Sequence, residues 1–511
     1  LKVVGTEEDV SPLVLLPSGA LYLRRQYECE RAVVEAISLR AIRRSAPPSA
    51  ASARFFKETL LDSLDENQRL AVASASLRDF AMISGGPGTG KTRAIVVLLA
   101  FLLTCDENLR VALAAPTGKA AFRMRESVLT VLNELSFPND LRDRVLASSN
   151  ASTIHRLLGS KRDSMDFRHN SKHPLSKDLI IVDEASMVDL SLMSKLLSAL
   201  NSEAKIILIG DADQLTPVQG GPVFSGLAKA FAPNRFSLED LATLVELSVT
   251  PPEPNASNDL FAGCYTTLSR AHRQEGHRSE RAISELCSAI REGRSEDALY
   301  ILDEHSRDGL LQRVEKMDSD NVEKAILEGF SPMMYAASPR AALDAFGKFR
   351  ILCTLNHGRY GVESWNHKAS DLLADIDDRA TPTKPVVVTR NDYPSGLFNG
   401  DDGIVRDKRA YFRGEGQDAR EVAASRLPGH LPAYATTIHR CQGSEYDKVM
   451  IILPPAASRT LTRELLYVAI SRAREGILVV GSEDAFRTAV DQPGRTCTGV
   501  PELLQALEIK E

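Results

Sequence analysis

The sequence is poor in aromatic residues and in paired cysteines. Aromatic residues make up 6% of the chain, with a single tryptophan, Trp365, so a long track of rings for stacking bases is not expected. We expect Trp365 in the core instead. The seven cysteines include no Cys-x-x-Cys pair, which argues against a disulfide framework or a zinc site and favours a reducing compartment, the cytoplasm.

Long apolar runs and excess positive charge are also absent. No apolar run reaches the length of a transmembrane helix, so no membrane partner is expected. The net charge of −6 over 511 residues argues against binding polyanions over the whole surface but leaves room for a basic groove. A chain of this length predicts two to four domains. It begins at Leu1 rather than Met, so we expect an N-terminal piece to be missing.

The most informative segment is glycine-rich and lies between a predicted strand, 80–84, and a predicted helix, 93–103. Glycine has no Cβ, so the backbone can curl until successive N–H groups point at phosphates, near the positive end of the helix. Lys91 can then reach the β- and γ-phosphates, and the Thr92 hydroxyl can hold Mg²⁺. A glycine-rich turn without a ligand is disfavoured because Lys91 and Thr92 follow in register. The expected nucleotide contacts are Gly86, Pro87, Gly88, Thr89, Gly90, Lys91 and Thr92.

Polar residues follow two further apolar strand candidates. Asp183 and Glu184 come directly after the candidate at 179–182, at the carboxyl edge where open α/β sheets bind ligands. Asp183 can anchor Mg²⁺, and Glu184 can orient and deprotonate an attacking water. Gln214 follows the candidate at 205–210 and is placed to sense the γ-phosphate, with a polar turn after a core strand as the simpler alternative.

The alternation of strand-like and helical patterns divides the chain and indicates an α/β fold with parallel sheets. We expect a lead-in over 1–62 and a first α/β domain over 63–265. A second α/β domain is predicted from 266–381 together with 431–511. Valine-rich runs separated by turn residues predict a small antiparallel barrel over 382–430, inserted into the second domain.

Seven motifs, taken in order, carry a resemblance to a known family. They are 85–92, 115–121, 152–159, 183–186, 210–215, 437–445 and 467–474. In this combination they resemble superfamily 1B DNA helicases of the RecD type. The resemblance implies two RecA-like motor domains, an SH3-like inserted barrel and a truncated N-terminal docking region.

The resemblance also implies an activity, cofactors and partners. The activity is ATP-driven movement 5′ to 3′ along single-stranded DNA, with ATP and Mg²⁺ as cofactors. The implied partners are duplex-end DNA and RecB-like and RecC-like subunits in a heterotrimer, the exodeoxyribonuclease V type of machine that acts in double-strand break repair and recombination.

Several single residues acquire roles through the same resemblance. Gln68 matches an adenine-reading glutamine, and Gly443 and Glu445 lie in a nucleotide-contacting motif, with Glu445 at the ribose. Arg273 and Arg472 lie in the second half of the chain, so they can reach ATP only across a cleft between two α/β domains, whose closing and opening would produce stepping. Either arginine taken alone is more often a surface charge or a salt-bridge partner.

The expected DNA contacts are hydroxyls, imidazoles and backbone N–H groups, which hold phosphates without reading sequence. The residues concerned are Pro116, Thr117, Thr153, His155, Thr437 and His439. A structural role for the two histidines is an equal alternative.

Three rival functions are weighed against a helicase subunit. The first is a stand-alone RecD-like helicase that needs no partner. A non-enzymatic scaffold subunit is disfavoured because all the expected catalytic residues are present: Lys91, Thr92, Asp183, Glu184, Gln214 and Arg472. A nuclease is disfavoured because no convincing metal-carboxylate signature is found, so DNA cleavage is expected of a partner.

Overall fold

A computed structural model gives the fold as two compact units. It describes the chain apart from residues 1–2, 162–163, 165, 216–220, 252–255, 258, 270–277, 375–379, 391, 393–394, 415–418, 495–497 and 509–511, and apart from the side chains of 507–508. Unit 1 comprises Leu1–Ala212, Thr216–His272 and Thr496–Glu511, and unit 2 comprises Asp213–Leu215 and Arg273–Arg495. None of the helices in the described ranges has both the length and the apolar character needed to cross a bilayer.

Unit 1 begins with a small sheet followed by three α-helices. Its elements are β1 (Val4–Gly5), β2 (Leu13–Leu15), β3 (Leu21–Leu23), α1 (Arg24–Ala41), α2 (Ala50–Phe55) and α3 (Glu66–Ser76). The strands pair in the order β1-β2-β3. Helix α3 begins with a capping box, in which Asp65 accepts from the Gln68 backbone N–H and Gln68 accepts from the Asp65 backbone N–H.

The body of unit 1 is built on a six-stranded sheet. Its elements in chain order are β4 (Phe80–Gly85), α4 (Lys91–Cys105), β5 (Val111–Ala115), α5 (Gly118–Glu134), α6 (Asn139–Ser148), β6 (Ser152–Thr153), α7 (Ile154–Leu158), β7 (Leu179–Val182), α8 (Leu190–Ser198), β8 (Lys205–Gly210), α9 (Val223–Ala230), α10 (Leu238–Glu246) and β9 (Tyr265–Leu268). The order is β6-β5-β7-β8-β4-β9, and every pairing is parallel. The strands predicted at 80–84, 179–182 and 205–210 are confirmed, and the helix predicted at 93–103 lies within α4.

The strands of this sheet are apolar throughout because helices cover both of its faces. In β4, Ala81 and Ile83 pack into one hydrophobic cluster, with α4. Phe80 and Met82 point the other way, into a cluster formed with α1 and α8. A parallel sheet buried on both faces loses the polar alternation of a half-exposed strand.

Unit 2 contains a second parallel sheet and an antiparallel insertion. Its elements in chain order are α11 (Arg278–Arg291), α12 (Ser295–Glu304), β10 (Leu311–Val314), α13 (Asp320–Met334), α14 (Pro339–Phe346), β11 (Phe349–Cys353), α15 (Val362–Ala374), β12 (Thr383–Val388), β13 (Asp402–Arg406), β14 (Arg409–Arg413), β15 (Ala419–Ala423), β16 (His430–Pro432), β17 (Ala435–Thr437), β18 (Tyr446–Ile452), α16 (Arg463–Ser471), β19 (Ala473–Val480) and α17 (Glu483–Asp491). The parallel sheet has the order β10-β19-β18-β11-β17. Trp365 on α15 is buried at 1% exposure, as predicted.

The insertion is a five-stranded antiparallel sheet in the order β15-β14-β13-β12-β16. One face packs Val388 and Phe412 with Leu397. On the other face, Ile404 packs into the same cluster as the apolar side of α14. Arg406 donates to the Ala336 carbonyl at 2.8 Å, so both packing and a hydrogen bond hold the insertion on the body of unit 2.

The end of the chain returns to unit 1. The last helix, α18 (Val500–Glu508), buries Val500 and Leu504 in the cluster that also contains Val33 of α1 and Phe224 of α9. This grouping differs from the sequence-based boundaries, which placed 431–511 in the second α/β domain. A short amphipathic helix gives no local signal of the sheet on which it docks, so the sequence could not locate it.

Candidate functional site

The glycine-rich loop between β4 and α4 has a backbone that requires glycine. Gly88 and Gly90 each adopt φ of 78°, in the left-handed region that L-residues with side chains rarely occupy. A Cβ on Gly85 would lie 2.5 Å from the Thr89 Oγ1 atom. Thr89 is buried and donates to the Gly86 carbonyl at 2.9 Å. The loop is therefore already curled in the way that phosphate binding requires.

Lys91 is the first residue of α4 and crosses the loop. Its Nζ donates to the Gly85 carbonyl at 2.6 Å and to the Gly86 carbonyl at 2.9 Å. These contacts keep an ammonium group beside the N–H groups of the loop and the helix start. The donors and the fixed charge suit an anion such as the phosphates of a nucleotide.

Gln68 is brought against the same loop. It is buried at 1% exposure, and its Nε2 donates to the Thr89 carbonyl at 3.2 Å. Its Oε1 accepts from the Asp65 backbone N–H at 3.2 Å. The capping box of α3 thus fixes the amide next to the loop, although an adenine-reading role for it stays a prediction.

The acid pair follows the last residue of β7. In the sheet, β7 lies two strands away from β4, which leads into the glycine-rich loop. The Asp183 N–H donates to the Ala114 carbonyl at 2.9 Å, and the Glu184 N–H donates to Asp183 Oδ1 at 2.9 Å. Glu184 has φ of 51°, an unfavourable conformation for a residue with a side chain, of the kind that collects at functional sites. Nothing in the sequence around Glu184 predicts this left-handed conformation.

Electrostatics join the acid pair to the loop. Burial and the neighbouring Glu184 raise the pKa of Asp183 to about 6, while the Lys91 charge lowers it. The structure therefore brings together the three charged residues that were predicted to act on the phosphates. A carboxylate buried beside a second acid is stabilised by a cation, which suits the predicted Mg²⁺ role.

The residues present fit a magnesium ion that is shared with a nucleotide. No group of three or more histidine, cysteine or acidic side chains able to hold a metal is found among the described residues. Mg²⁺ in nucleotide sites commonly takes only one or two protein ligands and completes its shell with phosphate oxygens and water. Asp183 and the Thr92 hydroxyl would supply the protein side of such a shell.

Gln214 lies just beyond β8 and is buried at 4% exposure. The segment Asp213–Leu215 belongs to unit 2, although β8 belongs to unit 1. Within unit 2, Asp213 pairs with Arg291 at 3.8 Å, and Gln442 Nε2 donates to the Leu215 carbonyl at 3.4 Å. Gln214 thus lies where the chain passes from one unit to the other.

The predicted DNA contacts of unit 1 share one edge of its sheet. Strands β5 and β6 pair in parallel with Ala115 opposite Thr153, so Pro116 and Thr117 lie beside the start of α7. Thr117 caps α5 and Thr153 caps α7 through their side-chain oxygens. His155 on α7 is exposed. Each threonine keeps its hydroxyl proton for another acceptor, as a phosphate contact requires.

The predicted DNA contacts of unit 2 lie at the corresponding edge of the second sheet. Thr437 ends β17 opposite Cys353 of β11. His439 is half-buried two residues later, and burial lowers its pKa. Asn366 on α15, which sequence reasoning missed, holds β17 by accepting from the Ala435 N–H at 3.0 Å and donating to its carbonyl at 3.4 Å.

Two of the residues in unit 2 that were predicted to contact the nucleotide, Glu445 and Arg472, form hydrogen bonds with other residues of unit 2. Gly443 has φ of 69°. Glu445 accepts two hydrogen bonds from Arg474, at 2.7 and 3.1 Å. Arg472 is buried at 3% exposure, and its guanidinium donates to the Ser444 and Val468 carbonyls at 3.2 Å each. Arg273 lies outside the described residues.

Two family models match segments of this chain. A family model described as an AAA domain matches residues 68–220, which span the loop and the acid pair. A model described as a UvrD-like helicase C-terminal domain matches residues 432–480, which span Thr437 to Arg472.

Curated relatives resemble nearly the whole chain. The RecBCD enzyme subunit RecD of Mycolicibacterium smegmatis is 33% identical over 459 residues, covering 86% of this chain and 75% of that protein. The protein of the same name from Mycobacterium tuberculosis H37Rv is 33% identical over 521 residues, covering 98% and 82%. The ATP-dependent RecD2 DNA helicase of Deinococcus radiodurans is 29% identical over 434 residues, covering 83% and 50%.

One solved structure shows a more distant likeness. Bacteroides Pif1 bound to single-stranded DNA aligns over 84% of this chain and 94% of that chain, with 18% sequence identity and a TM-score of 0.42.

Proposed function

The chain belongs to the RecD family, and from that premise we propose that it is an ATP-dependent DNA helicase that moves 5′ to 3′ along a single strand. One observation supports the proposal most directly. The curled loop with Lys91 and the acid pair Asp183–Glu184 lie at the same carboxyl edge of one sheet, and the pKa of Asp183 responds to both charged neighbours. This is the set of groups that NTP hydrolysis requires.

Each residue has a distinct role in the proposed hydrolysis. Lys91 neutralises charge on the terminal phosphates, and Glu184 orients and deprotonates the attacking water. Asp183 and Thr92 hold Mg²⁺, which supplies charge neutralisation at the phosphates when it is bound. Gln214 senses the γ-phosphate, and its position at the crossing between units suits it to pass that state on.

The arginines complete the proposed chemistry. Arg472 and Arg273 stabilise the charge of the transferring phosphoryl group. Gly443 and Glu445 contact the nucleotide, and Gln68 contacts the adenine. Because the Arg472 donors already have acceptors in unit 2, engaging a phosphate exchanges hydrogen bonds within the protein for stronger charged ones.

We further propose that the two sheets are RecA-like motor domains and that 382–430 forms an SH3-like barrel. The two covered faces of the antiparallel insertion support the barrel. The division into a lead-in at 1–62, a first domain at 63–265 and a second domain formed by 266–381 and 431–495 is proposed with it, with 1–62 as a docking region and Thr496–Glu511 grouped with unit 1.

The DNA is proposed to be held by its backbone. Three threonine hydroxyls can each donate a hydrogen bond to a phosphate: those of Thr117, Thr153 and Thr437. His155 and His439 add imidazoles. Pro116 shapes the β5–β6 edge of the unit 1 sheet. Phosphate contacts of this type fix the strand without selecting its sequence, as a translocating motor needs.

The chain is proposed to work in the cytoplasm as one subunit of a heterotrimer with RecB-like and RecC-like partners on duplex-end DNA. The identities to the relatives favour this reading over a stand-alone helicase, since the chain is 33% identical to two RecD subunits and 29% identical to the RecD2 helicase.

Two assays test the proposal. Translocation on single strands with a displaceable block at either end should show movement toward the 3′ end only, and movement toward the 5′ end contradicts the proposed polarity. Unwinding of blunt duplex by the isolated chain and by the chain with RecB-like and RecC-like subunits should differ strongly. Processive unwinding by the isolated chain supports the stand-alone helicase instead.

A further inference from the structure

Strand β8 lies between the strand that precedes the acid pair and the strand that leads into the glycine-rich loop. The order of these three strands is β7-β8-β4, and both pairings are parallel. The residues that follow β8 therefore leave the sheet between the loop and the acid pair. They continue to Gln214, so whatever holds them also fixes the point from which the chain reaches that residue.

A side chain of β4 holds the chain just beyond β8. The Ala212 N–H donates to the Ser84 Oγ atom at 3.0 Å. Ser84 is buried at 5% exposure, and its backbone is paired with Gly210 on one side and with Thr267 of β9 on the other. Because β8 ends at Gly210, the Ser84 hydroxyl oxygen serves Ala212 in place of a carbonyl of the sheet.

Ser84 is the polar end of an apolar series. Phe80 and Met82 of β4 are buried in the cluster formed with α1 and α8, and the alternation of side chains along a strand places Ser84 on the same face. Ala212 packs against this cluster as well. The hydrogen bond between them therefore lies at the margin of an apolar environment, where losing it costs more than it does in water.

The other end of this segment is fixed by close packing. A Cβ on Gly210 would lie 3.1 Å from the Ser186 backbone nitrogen and 3.1 Å from Phe224 Cζ, closer than an ordinary contact between such atoms. Glycine thus allows the end of β8 to pack directly on the backbone that follows Glu184. Gly210 is held by packing and Ala212 by a hydrogen bond, so the chain leaves β8 along one course.

Ser84 is also next to the loop in the sequence. The residue after it, Gly85, has a carbonyl that accepts from the Lys91 Nζ atom at 2.6 Å. Under the proposed function, Lys91 leaves this carbonyl to reach a phosphate, and the peptide group it releases directly follows Ser84. Ala212, at the other end of the hydrogen bond, is the last residue of unit 1 before the segment that contains Gln214.

We propose that Ser84 is a positioning residue for ATP hydrolysis, which holds Ala212 through its hydroxyl and so sets the course of the chain to Gln214. Ser84 acts through Ala212 and Gln214 rather than by touching the nucleotide. Its role in hydrolysis rests on the proposed function, but its hold on Ala212 does not.

Amide hydrogen exchange in the full chain, without nucleotide, tests that hold. Ser84→Ala should speed exchange of the Ala212 amide at least about fivefold, because the N–H loses its acceptor, while the amides within β8 stay unchanged. The matched control Ser74→Ala removes a buried hydroxyl that donates to a carbonyl of its own helix and should leave Ala212 unchanged. Equal Ala212 exchange in Ser84→Ala and the parent overturns the proposal, whether or not the chain hydrolyses ATP.

Steady-state kinetics test the role in hydrolysis. Ser84→Ala should lower kcat about tenfold while KM for ATP stays within about threefold, since the loop still holds the phosphates and only the positioning is lost. Ser84→Thr keeps the hydroxyl and should bring kcat back to within about threefold of the parent. Equal kcat values for Ser84→Ala and the parent overturn the role in hydrolysis.

A double variant shows whether Ser84 acts through Gln214. Gln214→Ala should lower kcat by itself, and adding Ser84→Ala should lower it by less than about twofold more, because the side chain that Ser84 positions is already gone. Two losses that multiply overturn the proposal, since Ser84 would then act by another route. A parent that hydrolyses no ATP contradicts the proposed function instead, and the exchange experiment still decides whether Ser84 positions Ala212.

Discussion

The two parallel sheets use different means to present polar groups at their carboxyl edges. In unit 1 the backbone itself is shaped for a ligand: Gly88 and Gly90 are left-handed, and Glu184 is strained. In unit 2 the corresponding groups are held by other parts of the unit: Arg472 is bound to backbone carbonyls and Glu445 to Arg474. Under the proposed function, unit 1 is preorganised for the nucleotide, whereas Arg472 and Glu445 of unit 2 would have to exchange hydrogen bonds to contact it.

Under the proposed function, this difference assigns nucleotide binding to unit 1 and the acceleration of hydrolysis to unit 2. A preorganised loop holds phosphates with little rearrangement, so it provides affinity. A buried arginine that must leave its acceptors contributes little to binding, but it contributes to the transition state once it has been released. Substitutions in unit 1 should therefore affect binding and turnover together, and those in unit 2 turnover alone.

The largest expected effect is that of Lys91→Gln in unit 1. The substitution removes the charge beside the loop carbonyls Gly85 and Gly86, so ATP turnover should fall by at least about 10³-fold. The melting temperature should stay within a few degrees, because Lys91 is partly exposed and is not among the buried residues of the core. DNA-stimulated ATPase and thermal unfolding measure the two effects.

The matched control for this prediction is Lys57→Gln, an exposed lysine of unit 1. It should leave turnover unchanged. Residual turnover of Lys91→Gln within about tenfold of the parent, a barrier change of only ~1.4 kcal/mol, would remove Lys91 from the catalytic set.

The next effect tests unit 2. Arg472→Lys keeps the charge but loses the forked donors, so turnover should fall by about 10²-fold to 10³-fold while nucleotide affinity stays within about threefold. Arg472→Ala should also lower the melting temperature, because it removes the guanidinium donor of the Ser444 carbonyl, whereas the Val468 carbonyl still accepts from the Ser471 hydroxyl. ATPase titrations and nucleotide-binding isotherms separate the two effects.

A loss of affinity with unchanged turnover in Arg472→Lys contradicts the proposed division between the units. It would make Arg472 a binding residue, like those of unit 1. Loss of stability in Arg472→Lys as large as in Arg472→Ala would instead make it a structural residue.

The curled loop and the acid pair could be predicted from the sequence, because the residues that form each are adjacent in the chain. Glycines before Lys91 permit the left-handed conformations of the loop, and an apolar strand followed by Asp183 and Glu184 places acids at the carboxyl edge of the sheet. Asn366 gave no such signal, since it is a single polar residue on a helix. Ser84 and Ala212 are separated by 128 residues, and only the fold brings them together.

A smaller effect concerns the stability of unit 1 and its dependence on pH. The folded pKa of Asp183 is raised to about 6 from 3.8, so this group favours the folded state fully below pH 4 and loses that contribution as the pH rises through 6. Asp183→Asn does not titrate. Without nucleotide or Mg²⁺, the variant should therefore gain stability over the parent between pH 4 and 7, by roughly 3 kcal/mol.

Thermal unfolding of both proteins across this pH range measures that difference. A constant difference between parent and variant contradicts the burial of a titrating carboxylate at the end of β7. Mg²⁺ with a non-hydrolysable nucleotide should reduce the difference, because the bound cation favours the ionised carboxylate of the parent.

The smallest effect compares the histidines at the two DNA edges. Burial lowers the pKa of His439, and partial desolvation by neighbouring atoms lowers the pKa of His155 although this residue is exposed at the surface. We therefore expect each imidazole to be neutral at pH 7 and to contact a phosphate through a hydrogen bond. His155→Ala and His439→Ala should each weaken single-strand binding by about 1 kcal/mol, roughly fivefold. Because no charge is lost, the slope of log affinity against log salt should not change.

Fluorescence anisotropy over a salt series, with strands of several base compositions, tests the two edges side by side. Equal losses on every sequence indicate backbone contacts from both units. A shallower salt slope in either variant would show that its histidine is charged in the complex. A loss confined to one sequence would show base contacts at that edge, and the two sheets would then differ in how they hold DNA as well as in how they act on ATP.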